Sequence, residues 1–192
     1  MISLFNKSRI SLWIAIIVLL VGIFFVVTNM LKDDEIEVEK ALDSIDIQNG
    51  HVIHIEFLNK KNAIAFYVSG PDNSNFGHAL VKKKLFGWKF MGGSSTDYVG
   101  YPSDMKLGRG FYNLEHENGI DYTDLLYGKV IDGDIKEVKV KTTEGQESLA
   151  EVINVSGDES FWYALSENKD LNTATTQGLS DTGEIKFEYP EE

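Results

Sequence analysis

The sequence predicts a mainly β protein, a β-sandwich or partly open barrel of about nine short strands, behind one N-terminal transmembrane helix and one short amphipathic helix. Three observations predict it. Residues 10–31 hold no charge, apolar side chains recur at near-helical spacing just after them, and from His51 onward the spacing becomes alternating and is punctuated by turn residues.

The first element is the run ISLWIAIIVLLVGIFFVVTNML, Ile10–Leu31, 22 residues long. As a helix rising ~1.5 Å per residue it would extend roughly 33 Å, which matches a hydrocarbon core of ~30 Å. Lys7 and Arg9 precede it, and Asp33, Asp34 and Glu35 follow Lys32. The positive-inside rule therefore puts residues 1–9 in the cytoplasm and the rest of the chain outside. A cleaved secretory signal has a shorter apolar part and a small-x-small exit, and FFVVTNMLKDD lacks one. The expectation is an uncleaved, single-pass signal anchor in the cytoplasmic membrane, with the lipid bilayer as its partner through residues 10–31.

Residues 32–50 form the second element, a juxtamembrane amphipathic helix. In DDEIEVEKALDSIDIQNG, Ile36, Leu42 and Ile45, helped by Val38 and Ala41, recur at helical spacing, the acids crowd the first turn, and Gly50 can end the element. The helix is expected from Asp34 to about Asp46. No Gly/Ser-rich or Pro-rich linker separates it from the anchor, so the domain beyond is expected near the membrane surface.

The extracytoplasmic β-domain spans residues 51–189, before a short tail at 190–192. HVIHIEFL alternates, with Ile53, Ile55 and Phe57 on one face and His54 and Glu56 on the other; NKKN turns the chain, and AIAFYV returns with Ile64, Phe66 and Val68 aligned. SGPDNSNFG reads as a loop, Val81–Gly93 as two strands bending near Gly87, and GGSSTDYVGYPSD as another loop. DLLYGKVIDGDIKEVKVK carries Asp132-Gly133 between two β-rich runs, a two-residue hairpin signal. LAEVINVSGDESFWYAL turns near Gly157-Asp158 and sets Phe161, Tyr163 and Leu165 opposite Trp162 and Ala164. ENKDLNTATTQGLSDTGE is polar and rich in turn residues, and IKFEY reads as a last edge strand.

Charge divides as unevenly as hydrophobicity. The chain holds 18 basic and 30 acidic residues; Lys7, Arg9 and Lys32 lie in the first 32 residues with no acid, so the remainder carries 15 basic against 30 acidic, a formal charge of −15. Such a domain is repelled by nucleic acid and by anionic polymers except where a local patch reverses the field. No nucleic-acid partner is expected. The absence of cysteine removes disulfides, thiolate chemistry and cysteine metal sites together.

The signal anchor, HVIHIEFLNKKNAIAFY, KKKLFGWKF, YGKVIDGDIKEVKV and FWYAL together resemble small membrane-anchored extracytoplasmic proteins of bacilli and related Gram-positive bacteria. The likeness covers most of His51–Leu165. It implies a place on the outer face of the cytoplasmic membrane, in the cell envelope, and it carries over no catalytic residue.

Chemistry has few footholds. His51 and His54 differ by an odd number and should face opposite sides of a strand, which spoils a local chelating pair; His78 and His116 would need ligands brought by folding. No Gly-x-Ser-x-Gly elbow or His-Glu-x-x-His motif is present. PDNSNFG and IDGDI are oxygen-rich but lack the ligand spacing of an EF-hand, and GGSST, Gly92–Thr96, could form an anion nest but lacks a Walker lysine. No catalytic, cofactor or metal residue is assigned.

The remaining candidate is VKKKLFGWKF, where Lys82, Lys83, Lys84, Trp88 and Lys89 would form a basic, aromatic contact surface for an envelope protein or an anionic surface. The three consecutive lysines cannot share one strand face, so at least one should lie in a bulge, in a turn or against an acid. The bland reading makes Trp88 core and the lysines an edge-protecting fringe. The expected function is a non-enzymatic, membrane-anchored binding or accessory module of the bacterial envelope. Its rival is an envelope polymer hydrolase working through paired carboxylates, Glu115 or Glu117 with Asp121.

Overall fold

Several strand segments are apolar at consecutive positions, as in AIAFYV and FWYAL, and a strand of that kind must be covered on both faces. A computed structural model of the chain meets the demand by stacking three sheets. It describes residues 13–24, 33–43, 50–97, 105–114, 120–122, 124–156, 159–167 and 170–190, in two compact units that divide after Glu37.

In the first unit, residues 13–24 form helix α1, without a charge and with every side chain exposed. Among the described residues no helix is long and apolar enough to cross a membrane. The rest of the predicted span, residues 10–12 and 25–31, lies outside the described residues, as do residues 1–9. Helix α2 (Asp34–Asp43) opens in this unit. Asp33 caps it by accepting a hydrogen bond on Oδ1 from the Glu35 amide at 3.0 Å, the arrangement that satisfies an orphan donor at a helix start.

The second unit contains the remainder of α2 and twelve strands: β1 (His51–Asn59), β2 (Asn62–Ser69), β3 (Asn75–Lys84), β4 (Gly87–Asp97), β5 (Gly110–Asn113), β6 (Asp124–Val130), β7 (Glu137–Lys141), β8 (Glu147–Leu149), β9 (Glu151–Ser156), β10 (Glu159–Ser166), β11 (Thr175–Leu179) and β12 (Ile185–Tyr189). They form three antiparallel, four-stranded sheets, ordered β1-β2-β3-β4, β5-β6-β10-β9 and β12-β11-β7-β8.

Alternation then assigns each side chain to a layer. Ile64, Phe66, Val68, Phe76 and Leu80 of the first sheet meet Leu125, Tyr127, Phe161 and Tyr163 of the second. The opposite face of the second sheet sends Leu126, Val130, Trp162 and Ala164 against Val138 and Val140 of the third. On the outer face of the first sheet, Ala63, Ala65, Ala79 and Val81 receive Val38, Ala41 and Leu42 of α2. Those alanines are small enough to let a helix lie close. The helix buries Val38, Ala41 and Leu42, while Ile36 is exposed and Ile45 lies outside the described residues.

The predicted β1–β2 and β9–β10 pairs and the edge strand β12 are present. The mainly β class holds, with twelve strands rather than about nine, arranged in three antiparallel sheets. The additional strands are β5, β8 and β11. Polar Thr and Gln in β11 concealed a strand central to its sheet, in which Thr176 is fully buried.

Asp132-Gly133 does not make a hairpin. β6 and β7 belong to different sheets, and the turn, in which the Asp134 amide donates to Asp132 Oδ1 at 2.9 Å, carries the chain from one sheet to the next. The expected loop GGSST is instead the second half of β4, paired to β3 through Leu80↔Gly92 and Ala79↔Gly93, so it forms no anion nest. Gly93 is required there because a Cβ would run into the His78 carbonyl oxygen.

In β1 the register steps from Val52↔Tyr67 to His54↔Phe66, making Ile53 an extra, bulged residue. The bulge inverts the alternation beyond it. Ile53 packs into the core between the first two sheets, whereas Ile55 lies on the helix side. His51 and His54, opposite Val68 and Phe66, share a face, contrary to the parity argument.

Candidate contact surface

The hairpin of β3 and β4 closes through a two-residue turn, Leu85-Phe86, with Lys84↔Gly87, Lys83↔Trp88 and Lys82↔Lys89 paired beneath it. The register moves next from Val81↔Phe90 to Leu80↔Gly92, so Met91 is the bulged residue and no lysine is. Cross-strand partners share a face, which puts Lys82, Lys84 and Lys89 on one side and Lys83 with Trp88 on the other.

Trp88 leaves the proposed surface. It is only 4% exposed, belongs to the cluster with Val38, Ala41 and Leu42, and meets the Phe57 ring edge-on at 5.8 Å. Lys83 covers it, its Nζ 5.8 Å from the indole centre, within the range of a cation–π contact. The most exposed large apolar groups of the hairpin are Leu85 and Phe86, 75% and 72% exposed, with Met91 and Phe90 less so. Their signal was available: two apolar neighbours at a turn cannot both point inward.

Lys60 and Lys61 are the other residues that sequence reasoning passed over. They form the β1–β2 turn, held by Asn59 Oδ1, which accepts from the amides of Lys61 and Asn62 at 2.9 and 3.0 Å. Because Asn62 pairs with Lys82 and the Lys83 amide donates to the Lys61 carbonyl at 2.7 Å, both hairpin turns emerge at the same end of the first sheet. Lys60, Lys61, Lys84 and Lys89 are exposed there, and Lys82 and Lys83 are half-buried. The acid Asp97 sits at the other end, opposite Asn75.

No protein family, curated protein or solved structure matches this chain.

Elsewhere titratable groups serve structure. His54 and Glu56 turn toward the second sheet: Tyr163 donates its hydroxyl to Glu56 Oε2 at 2.8 Å, and His54 Nε2 lies 3.3 Å from the same hydroxyl. Burial, then the Glu56 carboxylate, push the Tyr163 hydroxyl above its ordinary range. Asn73, in the segment considered for calcium, donates to Glu159 Oε2 at 3.2 Å, and Lys129 pairs with Glu159 Oε1 at 2.9 Å.

Among the described residues no group of three or more His, Asp or Glu is placed to hold a metal ion. His116, Glu115 and Glu117 lie outside the described residues, and Asp121 is exposed just before β6. A cleft of about 360 Å³ borders Glu39, Leu42, Asp43, His51 and Tyr67. It lies apart from the lysine-rich end, at the other end of β1.

Proposed function

We propose that the chain is a non-enzymatic, membrane-anchored binding or accessory module of the bacterial cell envelope, displayed outside the cytoplasmic membrane, with the β3–β4 hairpin as its contact surface. The observation that carries the reading is the hairpin end itself, where exposed Leu85 and Phe86 stand above Lys82, Lys84 and Lys89. A −15 domain that concentrates lysine around outward-facing apolar groups creates a local site for an anionic envelope component. The charge-free run of residues 10–31, flanked by Lys7 and Arg9 on one side and acids on the other, supports the anchor and its orientation.

Two experiments test the reading. Crosslinked capture from intact membranes should lose its partner when Lys82→Glu, Lys84→Glu and Lys89→Glu are combined, with circular dichroism unchanged; Lys83 is spared because it covers Trp88. Equal capture by both chains removes the hairpin from the assignment. Since the chain has no cysteine, Ser148→Cys on exposed β8 creates a single thiol. Its reaction with an impermeant maleimide on intact cells, together with resistance to alkaline extraction, is the result expected of the anchored, outward-facing form.

A further inference from the structure

We propose that the lysine-rich end of the first sheet docks into the interface of an anionic bilayer. In this arrangement Leu85 and Phe86 enter the boundary between headgroups and acyl chains, and Lys60, Lys61, Lys82, Lys84 and Lys89 meet headgroup phosphates. The inference deepens the reading of the hairpin as a contact surface, rests on it, and names its partner class.

Charge separation within the sheet is the first support. Residues 51–97 hold six lysines, Lys60, Lys61, Lys82, Lys83, Lys84 and Lys89, against three acids, Glu56, Asp72 and Asp97. The register collects all six lysines at the end where the two hairpins turn, while Asp97 closes the opposite end of the β3–β4 ladder. An anionic surface attracts that end and repels the acidic remainder of the domain, so one field both binds and orients. Each lysine near such a surface multiplies affinity by roughly fivefold.

Depth is the second support. Strands rise ~3.3 Å per residue, so the Lys82 backbone lies within ~10 Å of the Leu85-Phe86 turn. Interfacial segments bury their apolar face ~5–10 Å into the headgroup and acyl boundary, with lysines reaching back to the phosphates. Shape favours lipid over a folded protein: a two-residue turn presents no groove for a partner side chain, whereas a fluid interface requires no matched pocket.

The test uses the full chain carrying Leu85→Cys, its single thiol labelled with an environment-sensitive fluorophore. It is mixed with vesicles of phosphatidylcholine alone or with phosphatidylglycerol, some bearing nitroxide on the acyl chains. Docking predicts a blue shift and at least twofold quenching with phosphatidylglycerol only, weakened by salt and lost when Lys82, Lys84 and Lys89 become Glu. The same label at Ser148→Cys should remain in water, which separates docking from mere attachment to the vesicle. Flotation of the vesicles reports the anchor separately.

A chain that floats while its tip stays in water overturns the lipid inference and leaves the anchor standing. Capture experiments then decide whether the hairpin serves a protein instead, and an unaltered capture removes the contact-surface reading too. Tip quenching that requires phosphatidylglycerol, in a chain that high salt strips from vesicles, supports docking and removes the anchor.

Discussion

The His78 imidazole stands edge-on to the Tyr127 ring with centroids 4.7 Å apart, and meets the Tyr112 ring in the same way at 4.6 Å. The side chain is fully buried, and neither Nδ1 nor Nε2 has a hydrogen-bond partner among the described residues. Burial pulls its pKa down to about 4, so the folded protein holds the neutral form.

Acid sensitivity follows from that burial. Because the folded pKa lies below the ordinary value of ~6.5, stability is intact above pH ~6.5 and falls as pH drops from there toward 4, a loss of about 3 kcal/mol. Glu159 adds to the loss at lower pH: burial pushes its carboxyl up, but hydrogen bonds from Lys129 and Asn73 hold it below the usual value. Urea unfolding of His78→Leu should show a higher midpoint at pH 7 and a smaller decline to pH 4.5. A decline equal to that of the parent chain would exclude His78 as its source.

Tyr163 and Glu56 join the first two sheets through one hydrogen bond of 2.8 Å. Tyr163→Phe should cost about 1–2 kcal/mol by leaving a half-buried carboxylate with one donor fewer. Glu56→Gln should cost less, because the amide oxygen still accepts. A double-mutant cycle that pairs Tyr163→Phe with Glu56→Ala, each of which removes the bond, measures the coupling, and additivity of those two costs would show that the bond contributes nothing.

Gly128 permits the close approach of another segment. A Cβ at this position would run into the Gly108 carbonyl oxygen, which accepts a hydrogen bond from buried Trp162 Nε1 at 3.0 Å. Gly128→Ala should therefore cost roughly 1–3 kcal/mol through overpacking. The expected result is a lower thermal midpoint with altered tryptophan emission; an unshifted midpoint contradicts the packing described.

Trp88 and the hairpin tip should respond differently. Trp88→Ala removes a core side chain and should cost about 3–5 kcal/mol, whereas Leu85→Ser and Phe86→Ser should each stay within about 0.5 kcal/mol. Thermal melts of the three variants compare them directly. Destabilisation at Leu85 as large as that at Trp88 would place the turn in the core.

Local chemistry made much of this protein legible. The short β-rich apolar runs AIAFYV and FWYAL, the acids after Asp33 and the lysine run announced β2, β10, the start of α2 and the basic hairpin, because each depends on neighbours within a few residues. The layer arrangement depended on long-range pairing. Asp132-Gly133 looks the same whether the next strand pairs back or crosses to another sheet, and the buried Ile135 and Val138 beyond it join the third layer. The bulge at Ile53 reversed a parity argument that was locally sound. In the same way, a run of lysines and aromatics identified a hairpin, but not which ring would be buried. Packing against α2 took Trp88 into the core, the two-residue turn left Leu85 and Phe86 outside, and the β2–β3 register brought Lys60 and Lys61 beside them. Sequence sets the charge and period of each strand, while burial and register decide which side chains meet.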